Sequence, residues 1–253
     1  MMRQTLIIFS ISTLVGMTGY AQEDDLAKKI QNPIANMVSL PFQNNLDFND
    51  RNTNTLNIQP VTPFSLGSNV NLILRTIIPI VSAPTSPERT NGVGNIIMTG
   101  YFTPSKASKF IWGIGPALMF PSIKEELGSK KFSIAPSAIS LFQDNGWTAG
   151  SIFQNFWSVA GDGADVNYFY SQIFIVKNIK NGWYVNTAPI ITANWEAEEN
   201  KWTIPIGAGV GKLIRAGKIP INCQVGYYRF LEHPTDATGQ LRVQVVMILP
   251  KFY

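Results

Sequence analysis

Charged residues are scarce in this chain. Of its 253 residues, 14% are Asp, Glu, Lys or Arg, well below the quarter usual in a soluble globular domain. Cysteine occurs once, at Cys223, and histidine once, at His233. A single cysteine excludes an intrachain disulfide. Its apolar, strand-like setting, Ile221 to Tyr227, reads as that of a small hydrophobe rather than a reactive thiol. One histidine without a second thiol or imidazole makes a poor transition-metal site. The segment Glu232-His233-Pro234-Thr235-Asp236 looks like a surface loop, not a general-base constellation. Neither metal, cofactor nor enzymatic activity is therefore expected. Past residue 21 the chain has no run of 18 apolar residues, which excludes a membrane-spanning helix. The net charge of +4 is not gathered into a patch, so nucleic acid is not implied.

What fills the gap left by charge is neutral polarity. Apolar residues make up 45% of the chain, yet mean hydropathy is only +0.06, because Asn, Gln, Ser, Thr and Gly are abundant. Such a balance suits a surface partly in lipid around a polar interior, and it also suits a secreted lectin-like sandwich. Residues 1–21 carry Arg3, an apolar run from Leu6 to Val15, and the small-x-small site Gly19-Tyr20-Ala21. They read as a cleaved signal peptide. In residues 22–36, Leu26, Ile30 and Ile34 share one helical face, with Asp24 and Asp25 at its start and Pro33 cutting it short. A short N-terminal helix, or a loosely held extension, is expected before a domain over 37–253.

From there twelve strand-like stretches follow: 37–46, 54–64, 69–80, 93–103, 109–121, 131–142, 147–159, 166–176, 183–195, 202–214, 219–230 and 240–251. Connections after even-numbered strands are short and built from Gly, Asn, Asp, Ser and Pro, as in Gln143–Gly146. Those after odd-numbered strands are mostly longer, and twelve of the 16 acidic residues fall in or at the edge of them; Glu23, Asp24 and Asp25 precede the strands, and Asp144 alone sits in an even-numbered turn. The acidic loops match no full calcium-loop spacing and read as a solvated rim. Tryptophan marks both ends, with Trp112, Trp147 and Trp183 at one level and Trp157, Trp195 and Trp202 at the other. Two aromatic girdles, an even strand count and alternating loop lengths predict an all-β fold, a single transmembrane antiparallel β-barrel of about 12 strands in the bacterial outer membrane.

The last strand shows the two faces plainly. Leu241, Val243, Val245, Met247 and Leu249 occupy one parity and are assigned to lipid. Arg242 and Gln244 open the other, toward the lumen. By the same parity the luminal polar set is Asn71, Arg75, Asn186, Thr192, Asn194, Asn222, Gln224, Arg242 and Gln244. These could line a solute path, favouring anions through Arg75 and Arg242, or they could form a hydrogen-bonded filling of a closed barrel. In strand 10 the luminal parity is nearly bare (Gly207, Gly209, Gly211), which leaves room for a bulky group against the wall.

Several phrases carry a resemblance across the whole mature chain: A-N-M-V-S-L-P-F-Q-N-N (35–45), L-N-I-Q-P-V-T-P-F-S-L (56–66), L-I-L-R-T-I-I-P-I (72–80), K-F-I-W-G-I-G-P (109–116), F-W-S-V-A-G-D-G-A-D-V-N (156–167) and N-G-W-Y-V-N-T-A-P-I-I-T-A-N-W (181–195). They resemble a Gram-negative outer-membrane family misleadingly called "neuromedin U", similar in type to transporter-like barrels linked to aromatic-compound degradation. The resemblance implies the barrel but transfers no functional residue. Two functions follow as expectations: a passive porin-like channel for small solutes, or a closed barrel with a structural or assembly role binding a protein or lipid partner. Expected partners are outer-membrane lipid and lipopolysaccharide, and the barrel-insertion machinery through the C-terminal strand. A barrel of this kind is expected to stay with outer membranes through high-salt and carbonate washing, whereas a lectin-like sandwich would be released.

Overall fold

The computed structural model describes residues 26, 29–85, 87–106, 108–217 and 219–250. The signal-peptide segment, most of the expected N-terminal helix and the terminal Lys251-Phe252-Tyr253 lie outside the described residues. Fifteen strand segments form one sheet. Three strands are each interrupted once, so the segments make twelve staves. These are β1 (Val38–Phe48), β2 (Thr53–Ile58 and Val61–Ser65), β3 (Val70–Pro84), β4 (Arg89–Val93 and Ile97–Pro104), β5 (Phe110–Met119), β6 (Phe132–Asp144), β7 (Trp147–Ala160), β8 (Asn167–Asn178), β9 (Trp183–Thr187 and Ile190–Asn194), β10 (Trp202–Ala216), β11 (Ile219–Glu232) and β12 (Gly239–Leu249). Every neighbour is antiparallel. The sheet closes where β1 pairs with β12 along its whole length, from Val38 opposite Leu249 to Phe48 opposite Gly239.

Closure follows from the solvent. In hydrocarbon a bare strand edge leaves N–H and C=O groups without partners, so only a closed sheet can span. The side chains sort accordingly. On β11, Val225 and Tyr227 are exposed while Asn222, Gly226 and Tyr228 are buried. On β6, Ile134, Pro136 and Ala138 are exposed while Ser133, Ser137 and Ile139 are buried. An inverted surface, apolar outside and polar within, is the signature of a lipid-facing barrel. This places the chain in the outer membrane.

The two tryptophan levels stand where the parity puts them. Trp112, Trp147 and Trp183 are exposed at the short-turn end, and the Lys177 and Lys212 ammonium groups lie over the Trp147 and Trp183 rings at 4.7 and 4.8 Å. At the other end Trp195 and Trp202 meet edge-on at 5.2 Å. The tight turns use residues that tolerate positive φ: Asn145 and Gly146, at 46° and 75°, join β6 to β7. The long loop between β5 and β6 holds a short 3₁₀ turn, Glu125–Leu127.

The interior is filled. Ile73, Tyr101, Ile139, Leu141, Ile152, Tyr170 and Phe174 pack into one buried cluster across the lumen, and Ala117, Met119, Ala135 and Phe156 into another nearer the loop end. Both draw on β6 and the staves near it, where apolar side chains such as Ile139 and Leu141 occupy the luminal parity as well.

Lipid-face positions and luminal positions should respond oppositely to charge. Val225→Arg, near mid-height of β11, is expected to lower unfolding free energy by about 2–4 kcal/mol, measured by urea unfolding in lipid vesicles. Arginine at a loop position such as Asp162 should leave it within about 0.5 kcal/mol.

Candidate functional site

The described part of the N-terminal segment turns into the barrel. Asn32 Oδ1 accepts a hydrogen bond from Ile34 N at 3.0 Å, and Ala35 N donates to Asn32 O at 3.1 Å. This compact turn across Pro33 replaces any continuing helix. Ile34 is 2% exposed and belongs to the central apolar cluster. Gln31 bonds to the wall: its Nε2 donates to Asn178 Oδ1, and its Oε1 accepts from Thr148 Oγ1 at 3.1 Å and Asn178 Nδ2 at 3.3 Å. The sequence is read as a short helix or a loosely held extension here, and the part the structure describes is instead a turn docked in the lumen.

Between this segment and the opposite wall lies a cavity of about 150 Å³. Arg75, Asn186, Asn222, Gln224, Arg242 and Gln244 all line it, so six of the nine luminal residues expected from parity come together. Three do not. Asn71 is buried near the short-turn end of β3, with Ser65 opposite on β2 and Thr103 on β4. Thr192 lies opposite Tyr170 and bonds to the Tyr168 hydroxyl. Asn194 lines a separate cavity of about 490 Å³ at the loop end, with Glu125, Lys130 and Asp165.

Cross-strand register explains the clustering. Gln43 on β1 stands opposite Gln244 on β12, and Gln244 opposite Gln224 on β11, so three amides lie side by side around the wall. Gln43 and Gln59, which the sequence reading passed over, complete this amide-rich side. The Tyr184 hydroxyl donates to Gln224 Oε1 at 3.4 Å and is hydrogen-bonded to the Asn222 side chain. The bare glycine face of β10 is covered by its neighbour: a Cβ on Gly211 would meet the Tyr184 ring at 2.1 Å, and one on Gly209 would meet Asn186 Oδ1 at 2.9 Å. The bulky group expected against that wall comes from β9 beside it, not from across the lumen.

The two arginines differ. Arg242 is 2% exposed, a burial that would be costly without compensation. Its Nε donates to Asn45 Oδ1 at 3.1 Å, Nη1 to Ala188 O at 2.7 Å and Nη2 to Gln240 Oε1 at 2.8 Å. The Tyr228 ring lies 4.5 Å from its guanidinium carbon, and Gln240 relays the charge to Asp47 Oδ1 at 2.7 Å. Asp47 is the penultimate residue of β1, beside the loop that follows. Arg75 is only half-buried and makes one hydrogen bond among the described residues, Nη2 to Gln59 Oε1 at 2.7 Å.

Arg242 also stitches the wall. The ladder between β9 and β10 stops at Asn186 opposite Gly209 and resumes at Thr192 opposite Thr203. Pro189 and Pro205 fall in the gap and have no N–H to give. Side chains replace the lost bonds: Thr187 Oγ1 donates to Gly207 O at 2.7 Å, Ala188 N to the Tyr228 hydroxyl at 3.1 Å, and Ala188 O accepts from Arg242.

A packed layer stands between the two cavities. Tyr101, Ile152, Phe156 and Tyr228 are fully buried, and Gln154 ties Ser137 and Thr99 together at 2.9 and 3.0 Å while Ser137 donates to the Tyr101 hydroxyl. His233, in the outer loop after β11, stacks on Phe230 at 4.4 Å and contacts Thr235 Oγ1 through Nδ1 at 3.0 Å. Burial holds its imidazole below the usual histidine range, against the pull of Asp47 and Asp236.

No family model matches the chain, and no curated protein matches it. Its fold is similar to that of solved barrels. An outer membrane channel from Pseudomonas putida F1 superposes with a TM-score of 0.66 at 14% identity, over 84% of this chain and 96% of that one. The NanC porin does so with a TM-score of 0.56 at 8% identity, over 84% and 100%. The chain has a bacterial outer-membrane β-barrel fold. At such identities the likeness carries the architecture alone.

Truncating the two arginines should therefore have unequal effects. Arg242→Met removes the Arg242 donor from Gln240 Oε1 and Ala188 O, leaves Asn45 Oδ1 with Gln43 Nε2 alone, and is expected to cost about 3 kcal/mol or more. Arg75→Gln should cost under about 1 kcal/mol. Urea unfolding of both variants in lipid vesicles checks the contrast.

Proposed function

We propose that this protein is a gated outer-membrane channel for small polar solutes, closed in the described state by the packed layer around Tyr101 and Ile152 together with the N-terminal segment whose Ile34 joins it. The observation that carries the reading is the placement of Gln31–Met37 inside a lumen whose wall is polar and cationic. A purely structural barrel could fill the same space with apolar side chains and would have no use for a half-buried Arg75 facing a cavity. The resemblance to the family labelled "neuromedin U" and to transporter-like barrels of aromatic-compound degradation agrees with transport. So does the fold shared with an outer membrane channel and a porin. In this reading the protein is not an enzyme. The luminal set Arg75, Asn186, Asn222, Gln224, Arg242 and Gln244 forms the solute path, while the acidic rim faces lipopolysaccharide and β12 is read by the insertion machinery.

The stopper role has a physical rationale. Gln31 is held by hydrogen bonds that water can replace, and Ile34 supplies the apolar anchor. Burying one isoleucine is worth about 1.5–3 kcal/mol, small enough for opening on a useful timescale.

A reversible tether tests this. With Cys223→Ser as background, Gln31→Cys and Asn178→Cys replace a bonded pair and can be joined by oxidation. Oxidised protein is expected to conduct several-fold less than reduced protein in planar bilayers, and Ile34→Gly should raise open probability. Equal, negligible conductance in every form would favour the closed structural barrel instead.

A further inference from the structure

The geometry points to a binding site for a small hydroxycarboxylate in the cavity between the N-terminal segment and the wall. This inference rests on the channel reading for its purpose, but the site itself stands on separate observations.

The first is charge. The charged side chains lining the cavity are Lys29, Arg75 and Arg242, all cationic, and no carboxylate lines it among the described residues. Arg242 is 2% exposed and spends three of its N–H groups on Asn45, Ala188 and Gln240, with the Tyr228 ring against its guanidinium carbon. It is held to the wall and sets the local potential. Arg75 spends a single N–H on Gln59, which leaves other donors of its fork for a carboxylate, the group whose geometry matches that fork best.

The second is an acceptor waiting for a donor. Asn222 is 6% exposed, and its Oδ1 has no hydrogen-bond partner. The same residue is hydrogen-bonded to the Tyr184 hydroxyl, which itself donates to Gln224, so the amide nitrogen of Asn222 is used toward Tyr184 while its oxygen stays unpaired. Leaving a buried acceptor unmet is costly. A ligand hydroxyl satisfies it; a second carboxylate does not. Gln224 and Gln244, side by side on β11 and β12, add neutral donors and acceptors suited to further hydroxyls.

The third is size. A cavity of about 150 Å³ holds several waters and so admits a small organic acid. A carboxylate and a hydroxyl on one short chain define the class.

Isothermal titration of the detergent-solubilised full-length protein with sodium lactate, sodium propionate and glycerol tests the assignment. Lactate is expected to bind, propionate about tenfold more weakly, and glycerol not at all. Arg75→Gln should weaken lactate about tenfold or more, the scale of one charge-assisted bond, with Arg75→Lys recovering part of it. Asn222→Ala should bring lactate down to the level of propionate while leaving propionate unchanged, which a merely unfolded variant could not do. Equal binding of lactate and propionate, no lactate binding, or indifference to Arg75→Gln overturns the site. Liposome flux is read separately: lactate binding without flux upholds the site and removes the channel reading, and flux without lactate binding does the reverse.

Discussion

Everything in this molecule depends on one rule, that backbone polar groups at membrane depth must be paired. The rule closes the sheet between β1 and β12 over eleven consecutive register pairs. It also governs the lapses. Between β9 and β10 the ladder is open across Pro189 and Pro205, and the wall survives because Thr187, Tyr228 and Arg242 supply hydrogen bonds that the backbone cannot. A barrel that needs a buried guanidinium to complete its wall acquires a fixed positive charge inside its lumen. The electrostatics of the cavity are thus partly a by-product of how the wall is mended.

The same constraint separates the two arginines by role. Arg242 is immobilised by its partners and cannot reorganise around a solute without unstitching Ala188. Arg75 sits on β3 opposite Val61 and Thr99, at the edge of the break in β2, but its bond goes to the Gln59 side chain and not to the backbone, so it mends no gap in the wall. A site that binds and releases needs the second kind of residue. Fixed charge draws an anion in, while a side chain with unused donors receives it.

Much of this was legible in residue order, for reasons that differ by feature. The twelve staves and their two faces could be read because the period of two is imposed by the solvent on both sides of every strand; β12 shows it from Leu241 to Leu249. The tryptophan levels were legible because headgroup chemistry acts on single residues. The clustering of Asn186, Asn222, Gln224, Arg242 and Gln244 followed from parity plus the nearness of β9, β11 and β12. Arg75 was harder, since β3 faces the same cavity from beyond β1 and β2 and across the inward-turned Gln31–Met37. That turn is a long-range event, fixed by Asn178, Thr148 and the central cluster, and a local pattern of Leu26, Ile30 and Ile34 cannot announce it. The interrupted seam was half visible: both prolines are plain in the sequence, but only register shows that they fall in one gap.

Filling and gating are then two aspects of one packing problem. Twelve staves enclose more space than the luminal side chains of β9 to β12 can occupy, because β10 offers glycines and β11 and β12 offer amides. The apolar staves β5 to β7 fill their half with Ile139, Leu141 and Ile152. The polar half is left to be completed by something else, and Gln31–Met37 does so with one isoleucine, one alanine and a few amide bonds. A wall residue in that position would be permanent. A segment joined covalently to the barrel at Val38 and otherwise held by the Gln31 bonds and Ile34 packing can leave and return, and the polar half of the lumen opens when it does.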